Sequence, residues 1–295
     1  MSEYKLFPGC VIQNRIPYIE ASSKFVFDKL GVAYSGGEFG CCPNPVGLKM
    51  ADKEAWATLA ARNLVEAEEE SKPIMSLCNG CYQSLAVCNH ELKNDDVLKG
   101  KVNSLLSEVG KEYKGIIDVN HFVTVLVEQV GLDKIKSAIS NKMEGLKVAV
   151  HPGCHYSRPS HILHNEDPFD PHYLKDLVEA TGAEVVEYGL ENMCCGNSVR
   201  NHDEYTANTI LRDKVRAAKD VGADCFAVNC PACFQQFENE QRKLEKMKDT
   251  EENEKFRFPT LFITELLALA MGKSWRDIGI KFHRNKSKDF LNKVS

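Results

Sequence analysis

Ten of the twelve cysteines in this chain fall into one five-cysteine pattern written twice: a lone Cys, an adjacent Cys-Cys pair, then a Cys-x-x-Cys. The first copy is Cys10, Cys41, Cys42, Cys78 and Cys81; the second is Cys154, Cys194, Cys195, Cys230 and Cys233. The spacing repeats too, with 30 and 39 residues before the pair and 35 and 34 residues between the pair and the Cys-x-x-Cys. Each lone cysteine closes a Pro-Gly-Cys after an apolar run, Leu6-Phe7-Pro8-Gly9-Cys10 and Val148-Ala149-Val150-His151-Pro152-Gly153-Cys154. Each Cys-x-x-Cys continues into an aromatic-Gln, Tyr82-Gln83 and Phe234-Gln235. A fixed long-period repeat of this kind requires two homologous halves, each carrying one site.

The rest of the sequence expects an α/β fold. Short apolar runs at Tyr4–Phe7, Pro73–Leu77, Lys147–Val150, Ala183–Tyr188 and Asp224–Asn229 read as strands. Helical periodicity covers Ile16–Leu30, Leu48–Glu70, Pro171–Thr181 and Glu204–Val221, with Gly31 and Gly182 as closing glycines, and further helices open near Gly80 and Cys230. Strand-helix alternation implies parallel sheets with right-handed crossovers, so each half is expected to be Rossmann-like. We divide the chain into a first domain over 1–145, containing a cysteine-free helical insertion at about 92–145 with Asn120 as a helix N-cap, and a second over 146–295. The basic tail from Ser274, bearing Trp275 and Phe282, reads equally as a docking element or a solvated segment.

A 295-residue chain with 43% hydrophobic residues, 27% charged residues and a net charge of -5 has room for two cores and lacks the basic stripe of a general nucleic-acid binder. Its longest apolar run, Leu261–Met271, is short of the roughly 20 residues needed to span a bilayer, and the N-terminus carries no signal-like segment. The expectation is a cytoplasmic protein acting on a small molecule or a protein partner. In a reducing compartment, twelve cysteines point to metal or redox chemistry rather than disulfides.

Cysteines at the carboxyl ends of parallel strands gather in the crevice where such sheets bind ligands. Thiolates about 4 Å apart repel by several kcal/mol at an effective dielectric near 20, and a metal turns that repulsion into binding. One tetrahedral zinc leaves six patterned cysteines unexplained. Thioredoxin-like chemistry explains the two Cys-x-x-Cys elements and leaves the adjacent pairs unused. A cubane iron–sulfur cluster takes four cysteines, so five per half means a cubane plus a free thiol or a less usual cluster.

A lone Cys, a Cys-Cys followed by Gly or Pro, and a Cys-x-x-Cys, in tandem, form the CCG-domain pattern, and His151-Pro-Gly-Cys-His-x-x-Arg158 belongs to the same signature. Over nearly its whole length the chain resembles the B subunit of the heterodisulfide reductases of methanogenic archaea. The resemblance implies two noncubane [4Fe-4S] clusters, one on Cys10, Cys41, Cys42, Cys78 and Cys81, the other on Cys154, Cys194, Cys195, Cys230 and Cys233. It implies reduction of the coenzyme M–coenzyme B heterodisulfide to two thiols, each cluster capturing one sulfur. It also implies electron delivery by the C subunit of such a heterodisulfide reductase, with a hydrogenase or formate dehydrogenase and a flavin-bearing A subunit in the larger complex. The first pair departs from the pattern, with Pro43 where Gly196 follows the second, which removes an N–H able to bond a sulfur and makes the copies unequal.

Beyond the cysteines, His155 is the candidate proton donor to a product thiolate. Arg15, Lys49, Arg158 and Arg200, all near ligand cysteines, are candidates for the sulfonate, phosphate and carboxylates of the two coenzymes. Cys88 and Cys225 sit among apolar neighbours and read as core; His151, His161 and His164 are not expected to bind metal. Two rival readings are an electron-transfer CCG subunit of a lactate or glycolate oxidase or thiol:fumarate reductase type complex, and a metal-stabilised scaffold without catalysis.

Overall fold

The computed structural model describes residues 3–247 and 254–295. The first half runs β1 (Tyr4–Phe7), α1 (Cys10–Arg15), α2 (Pro17–Leu30), β2 (Tyr34–Ser35), α3 (Gly47–Ala51), α4 (Lys53–Glu68), β3 (Ile74–Ser76), α5 (Asn79–Asn94), α6 (Asp96–Ser107) and β4 (Val119–His121). Then α7 (Phe122–Thr124) continues as a π-turn, Val125–Val130, and α8 (Leu132–Ala138) follows. The second half runs β5 (Lys147–His151), α9 (Ser160–Leu163), α10 (Tyr173–Ala180), β6 (Glu184–Val185), α11 (Glu204–Asp220), β7 (Cys225–Val228), α12 (Pro231–Leu244), β8 (Thr260–Phe262), α13 (Ile263–Ala270) and α14 (Lys288–Lys293). None of the described helices is long and apolar enough to cross a membrane.

Each half carries a four-stranded parallel sheet, in the orders β2-β1-β3-β4 and β6-β5-β7-β8. In both, chain order reverses between the two central strands, which places the ligand crevice beyond their carboxyl ends. The central strands are mostly apolar and, apart from Lys147 at the start of β5, buried, as a covered parallel sheet demands. Most of the expected strands and helices form, and the strand expected over Ala183–Tyr188 shortens to Glu184–Val185.

Three expectations need correction. The long helix over Leu48–Glu70 is two helices, because Asp52 adopts an extended conformation (φ -151°) and its carboxylate accepts from the Ala55 N–H, capping α4. The cysteine-free stretch over 92–145 is largely helical, but it also supplies β4, which pairs with β3 and completes the first sheet. Asn120 therefore lies in a strand, and His121 caps the following turn by accepting from the Val123 N–H. The apolar run Leu261–Met271 is the equivalent unit of the second half, the end of β8 followed by the wholly buried α13.

The halves interlock. Ser22 and Ser23 on α2 share hydrogen bonds with Thr264 on α13 at 3.1 and 3.0 Å, and Phe122 stacks on Phe262 with ring centroids 5.6 Å apart. The tail packs on its own chain: Ile278, Ile280, His283, Asn285, Phe290 and Val294 are buried, and Phe282 remains exposed.

Candidate metal centre

The cysteines arrive at strand ends by matched local geometry. Cys78 and Cys230 follow β3 and β7 and cap α5 and α12 with the same extended conformation (φ -134° and -130°). Cys81 and Cys233 then lie in the first turn of those helices. The Pro-Gly-Cys glycines are left-handed, Gly9 at φ 79° and Gly153 at φ 75°. A Cβ on Gly9 would stand 2.9 Å from Cys81 Sγ, and one on Gly153 would stand 2.6 Å from Asn79 Nδ2 at the seam between the two sets. The positive φ and these close approaches make glycine the residue that fits at both positions.

All ten patterned cysteines line one cavity of about 250 Å³, together with Val11, Asn44, Pro45, Asn79, Gly80, His155, Asn197, Ser198 and Ala232. Within it the thiols make a continuous chain of sulfur contacts. The first set runs Cys10, Cys41, Cys42, Cys81, Cys78, and the second runs Cys230, Cys233, Cys195, Cys194, Cys154. Cys78 meets Cys230 and joins the two sets. Access is unequal, since Cys10 and Cys41 are exposed while Cys78, Cys81, Cys195, Cys230 and Cys233 are buried. At the seam, Asn79 Nδ2 donates to the Pro152 carbonyl at 2.8 Å, and Asn79 Oδ1 and Asn229 Nδ2 are buried without partners.

Electrostatics follow from crowding. Cys42 and Cys230 are held well below the usual thiol range, Cys42 by donation from Cys41 and Cys81, Cys230 by donation from Cys233 and Cys78 and by the Cys233 and Ala232 N–H groups. Cys194 is pulled down to about 2 by donation from Cys154 and Cys195 and by the Gly196 N–H, which lies 3.3 Å from its sulfur. The donors move the other way: Cys41, Cys78, Cys81, Cys154 and Cys233 are raised, and Cys195 rises to about 12 through its bond to Cys194. Three sulfurs biased toward the thiolate, Cys42, Cys230 and Cys194, each flanked by two thiols in a mostly buried cavity, make a soft, anionic donor set that suits iron–sulfur or zinc coordination. His151, not expected from sequence to bind metal, is also close: one of its ring nitrogens lies within 4.8 Å of the sulfurs of Cys195 and Cys233, and its Nε2 is buried without a partner.

Comparison with known proteins identifies the architecture. The cysteine-rich domain family model, CCG, matches twice, over residues 4–86 and 148–238. The chain is 38% identical over its full length to the B subunit of the ferredoxin/F(420)H(2)-dependent CoB-CoM heterodisulfide reductase of Methanosarcina acetivorans, covering 97% of that protein. It is 36% identical to the B subunit of the ferredoxin:CoB-CoM heterodisulfide reductase of Methanosarcina mazei, again over the full chain and 97% of the relative. The chain belongs to the heterodisulfide reductase B-subunit family. As a member of this family it is an oxidoreductase subunit with two cysteine-rich domains. It is also 29% identical, over 94% of its length and 95% of the relative, to the "8-methylmenaquinol:fumarate reductase membrane anchor subunit" of Wolinella succinogenes. A solved Helicobacter pylori structure described as a hypothetical protein shares the fold, with a TM-score of 0.75 and 16% identity, covering 98% of this chain and 53% of that one.

Of the other candidates, His155 lines the cavity, and its Nδ1 bonds Gln83 Oε1. The four candidate cations lie outside the lining. Arg15 borders a separate cleft of about 570 Å³ with Tyr18, Phe234, Phe282 and Arg284. Lys49 pairs with Glu91 at 2.7 Å and lies over the Trp56 ring, Arg200 pairs with Glu240 at 2.8 Å, and Arg158 reaches the Pro168 carbonyl at 3.4 Å. Cys88 and Cys225 are fully buried core thiols, Cys88 donating to the Ala57 carbonyl.

Proposed function

We propose that this chain is the disulfide-reducing subunit of a heterodisulfide reductase, its two cysteine sets each holding one noncubane [4Fe-4S] cluster. The observation that carries the reading is the single cavity lined by all ten thiols, in which the two sets meet at Cys78 and Cys230. A disulfide has two sulfurs to receive, and two facing thiolate-rich sites in one cavity match that requirement; two remote metal sites would not. When bound, iron–sulfur clusters supply single electrons and Lewis-acidic iron for thiolate sulfur.

This chain's residues do the rest. Cys10, Cys41, Cys42, Cys78 and Cys81 hold one cluster; Cys154, Cys194, Cys195, Cys230 and Cys233 hold the other. His155, oriented by Gln83, which itself donates to the Arg158 carbonyl at 2.6 Å, holds a proton at the cavity wall for a leaving thiolate. Asn44, Asn197 and Ser198 supply polar contacts at the rim. The substrate is the CoB–CoM heterodisulfide named in the relatives. Electrons come from a partner in the role of the C subunit, with a hydrogenase or formate dehydrogenase and a flavin-bearing A subunit upstream.

Likeness to the fumarate reductase subunit supports a second reading, in which the clusters relay electrons without binding a disulfide. Anaerobically purified protein, oxidised and treated with coenzyme M or coenzyme B, separates the two by EPR. A new cluster-derived signal is expected. Full iron content without any thiol-induced signal favours the relay, and absence of iron–sulfur clusters sinks both.

A further inference from the structure

Lys214 projects from α11 and is fully buried. Its ammonium donates to the Leu190 carbonyl, lies 3.5 Å from His151 Nδ1 and sits 5.5 Å from the centre of the Tyr188 ring. It forms no ion pair with a carboxylate among the described residues; Glu191, at longer range, spends its Oε1 on the N–H groups of Tyr188 and Gly189. A buried ammonium without a counter-charge costs several kcal/mol, so its burial calls for negative charge nearby. Burial pulls its pKa down to about 8, and the groups that pull the other way are Glu191 and, once ionised as metal ligands, the Cys195, Cys233 and Cys194 sulfurs of the second set. His151 stands between, its Nδ1 3.2 Å from the Glu191 carbonyl and a ring nitrogen within 4.8 Å of Cys195 and Cys233.

The first half has a buried lysine of its own, Lys5, which donates to the Gly36 carbonyl in the loop before the first cysteine pair, but its charge is matched by an ion pair with Glu70. The two Pro-Gly-Cys elements align His151 with Phe7, and the capping aspartates of α4 and α11, Asp52 and Asp203, align Lys214 with Asn63 at the same offset. Asn63 has the same mechanical task, holding the loop before the cysteine pair through the Gly40 N–H and the Cys41 carbonyl, but it is neutral. The first pair is followed by Pro43, which has no N–H, where Gly196 donates to Cys194. Positive charge without a carboxylate partner, and the pair-following N–H donor, are therefore on the side of the second set, and such groups favour the more reduced, more negative state of a metal centre.

We propose that Lys214, with His151 between it and the thiols, is a positioning residue whose fixed charge makes the second cysteine set the site of more positive reduction potential, so that the first arriving electron rests there. The donor, a one-electron iron–sulfur carrier, is oxidised by one electron and the second-half centre is reduced by one; no bond at Lys214 forms or breaks. The inference rests on the two-cluster reading. Iron and sulfide analysis with EPR-monitored redox titration of the intact protein tests it, using Lys214→Gln, which is neutral and keeps a donor for Leu190, and Lys214→Arg, which keeps the charge. In the Gln variant one of two midpoint potentials should move negative while the other stays, and the Arg variant should resemble wild type. Loss of one cluster's iron in the Gln variant alone also supports a charge requirement. Unchanged potentials in the Gln variant, equal shifts of both, or iron loss in both variants overturns it. Wild-type protein without two clusters instead overturns the proposed function on which it rests.

Discussion

Replacing Glu265 with glutamine should destabilise the protein by an amount that grows as pH falls. The Glu265 side chain is fully buried at the start of α13; Oε2 accepts from the Phe262 N–H at 2.9 Å and Oε1 accepts from His283 Nε2 at 2.9 Å. The pair pins the C-terminal segment to the second half. Burial works against a charged imidazole at His283, but the Glu265 carboxylate outweighs it, with help from Glu238, and its pKa is raised. A histidine with a raised folded pKa contributes stability that is fully present below the unfolded value of about 6.5 and is lost as pH rises through the folded value. Glutamine has one acceptor oxygen where the carboxylate has two: with that oxygen on the Phe262 N–H its NH2 faces His283 Nε2, so His283 must fold neutral and accept. Near pH 8 only a hydrogen bond of about 1 kcal/mol weakens. Near pH 5 the histidine must also shed a proton it holds when unfolded, which adds about 2 kcal/mol for the roughly 1.5-unit gap. Denaturant unfolding of both proteins, followed anaerobically at several pH values, reads the difference, and Glu238 cancels because both proteins keep it. A penalty that is flat with pH, or that grows with alkalinity, refutes the argument.

Other outcomes follow from single positions. Gly196→Ala should lower stability by about 2–4 kcal/mol in thermal unfolding, since Gly196 has φ 89° and a Cβ there would lie 2.7 Å from the Ala207 carbonyl oxygen, whereas Gly36→Ala meets nothing within 4 Å and should change it by less than about 0.5 kcal/mol. Cys42→Ser or Cys194→Ser should cut iron from about eight to about four atoms per chain, measured by metal analysis, because each removes a ligand from one set only. Cys88→Ala and Cys225→Ala, outside both sets, should keep full iron while losing about 1 kcal/mol of stability to a small cavity.

Much of the fold was legible because it rests on local signals. Gly31 closes α2 in a left-handed conformation, and the cysteines capping α5 and α12 follow strands whose apolar character is written in sequence. The failures share a cause. Asp52 interrupts a helix through one backbone dihedral that no periodicity records, and β4 and β8 are three-residue strands whose pairing depends on neighbours distant in the chain. Lys214 reads in sequence as one more charged residue on an amphipathic helix; only packing shows it turned inward.

By itself the sequence determined that there are two halves, that each brings five thiols to strand ends, and that Pro43 makes the copies unequal, because these depend on residue identity and on spacing along one chain. The tertiary structure decided that both sets open into one cavity and meet at Cys78 and Cys230, that the candidate cations Arg15, Lys49, Arg158 and Arg200 lie outside its lining, and that a buried lysine without a carboxylate partner lies behind the second set where a neutral asparagine holds the equivalent place in the first. Those outcomes depend on how two sheets and their covering helices face one another, and they are fixed by burial and by contacts between residues far apart in the chain.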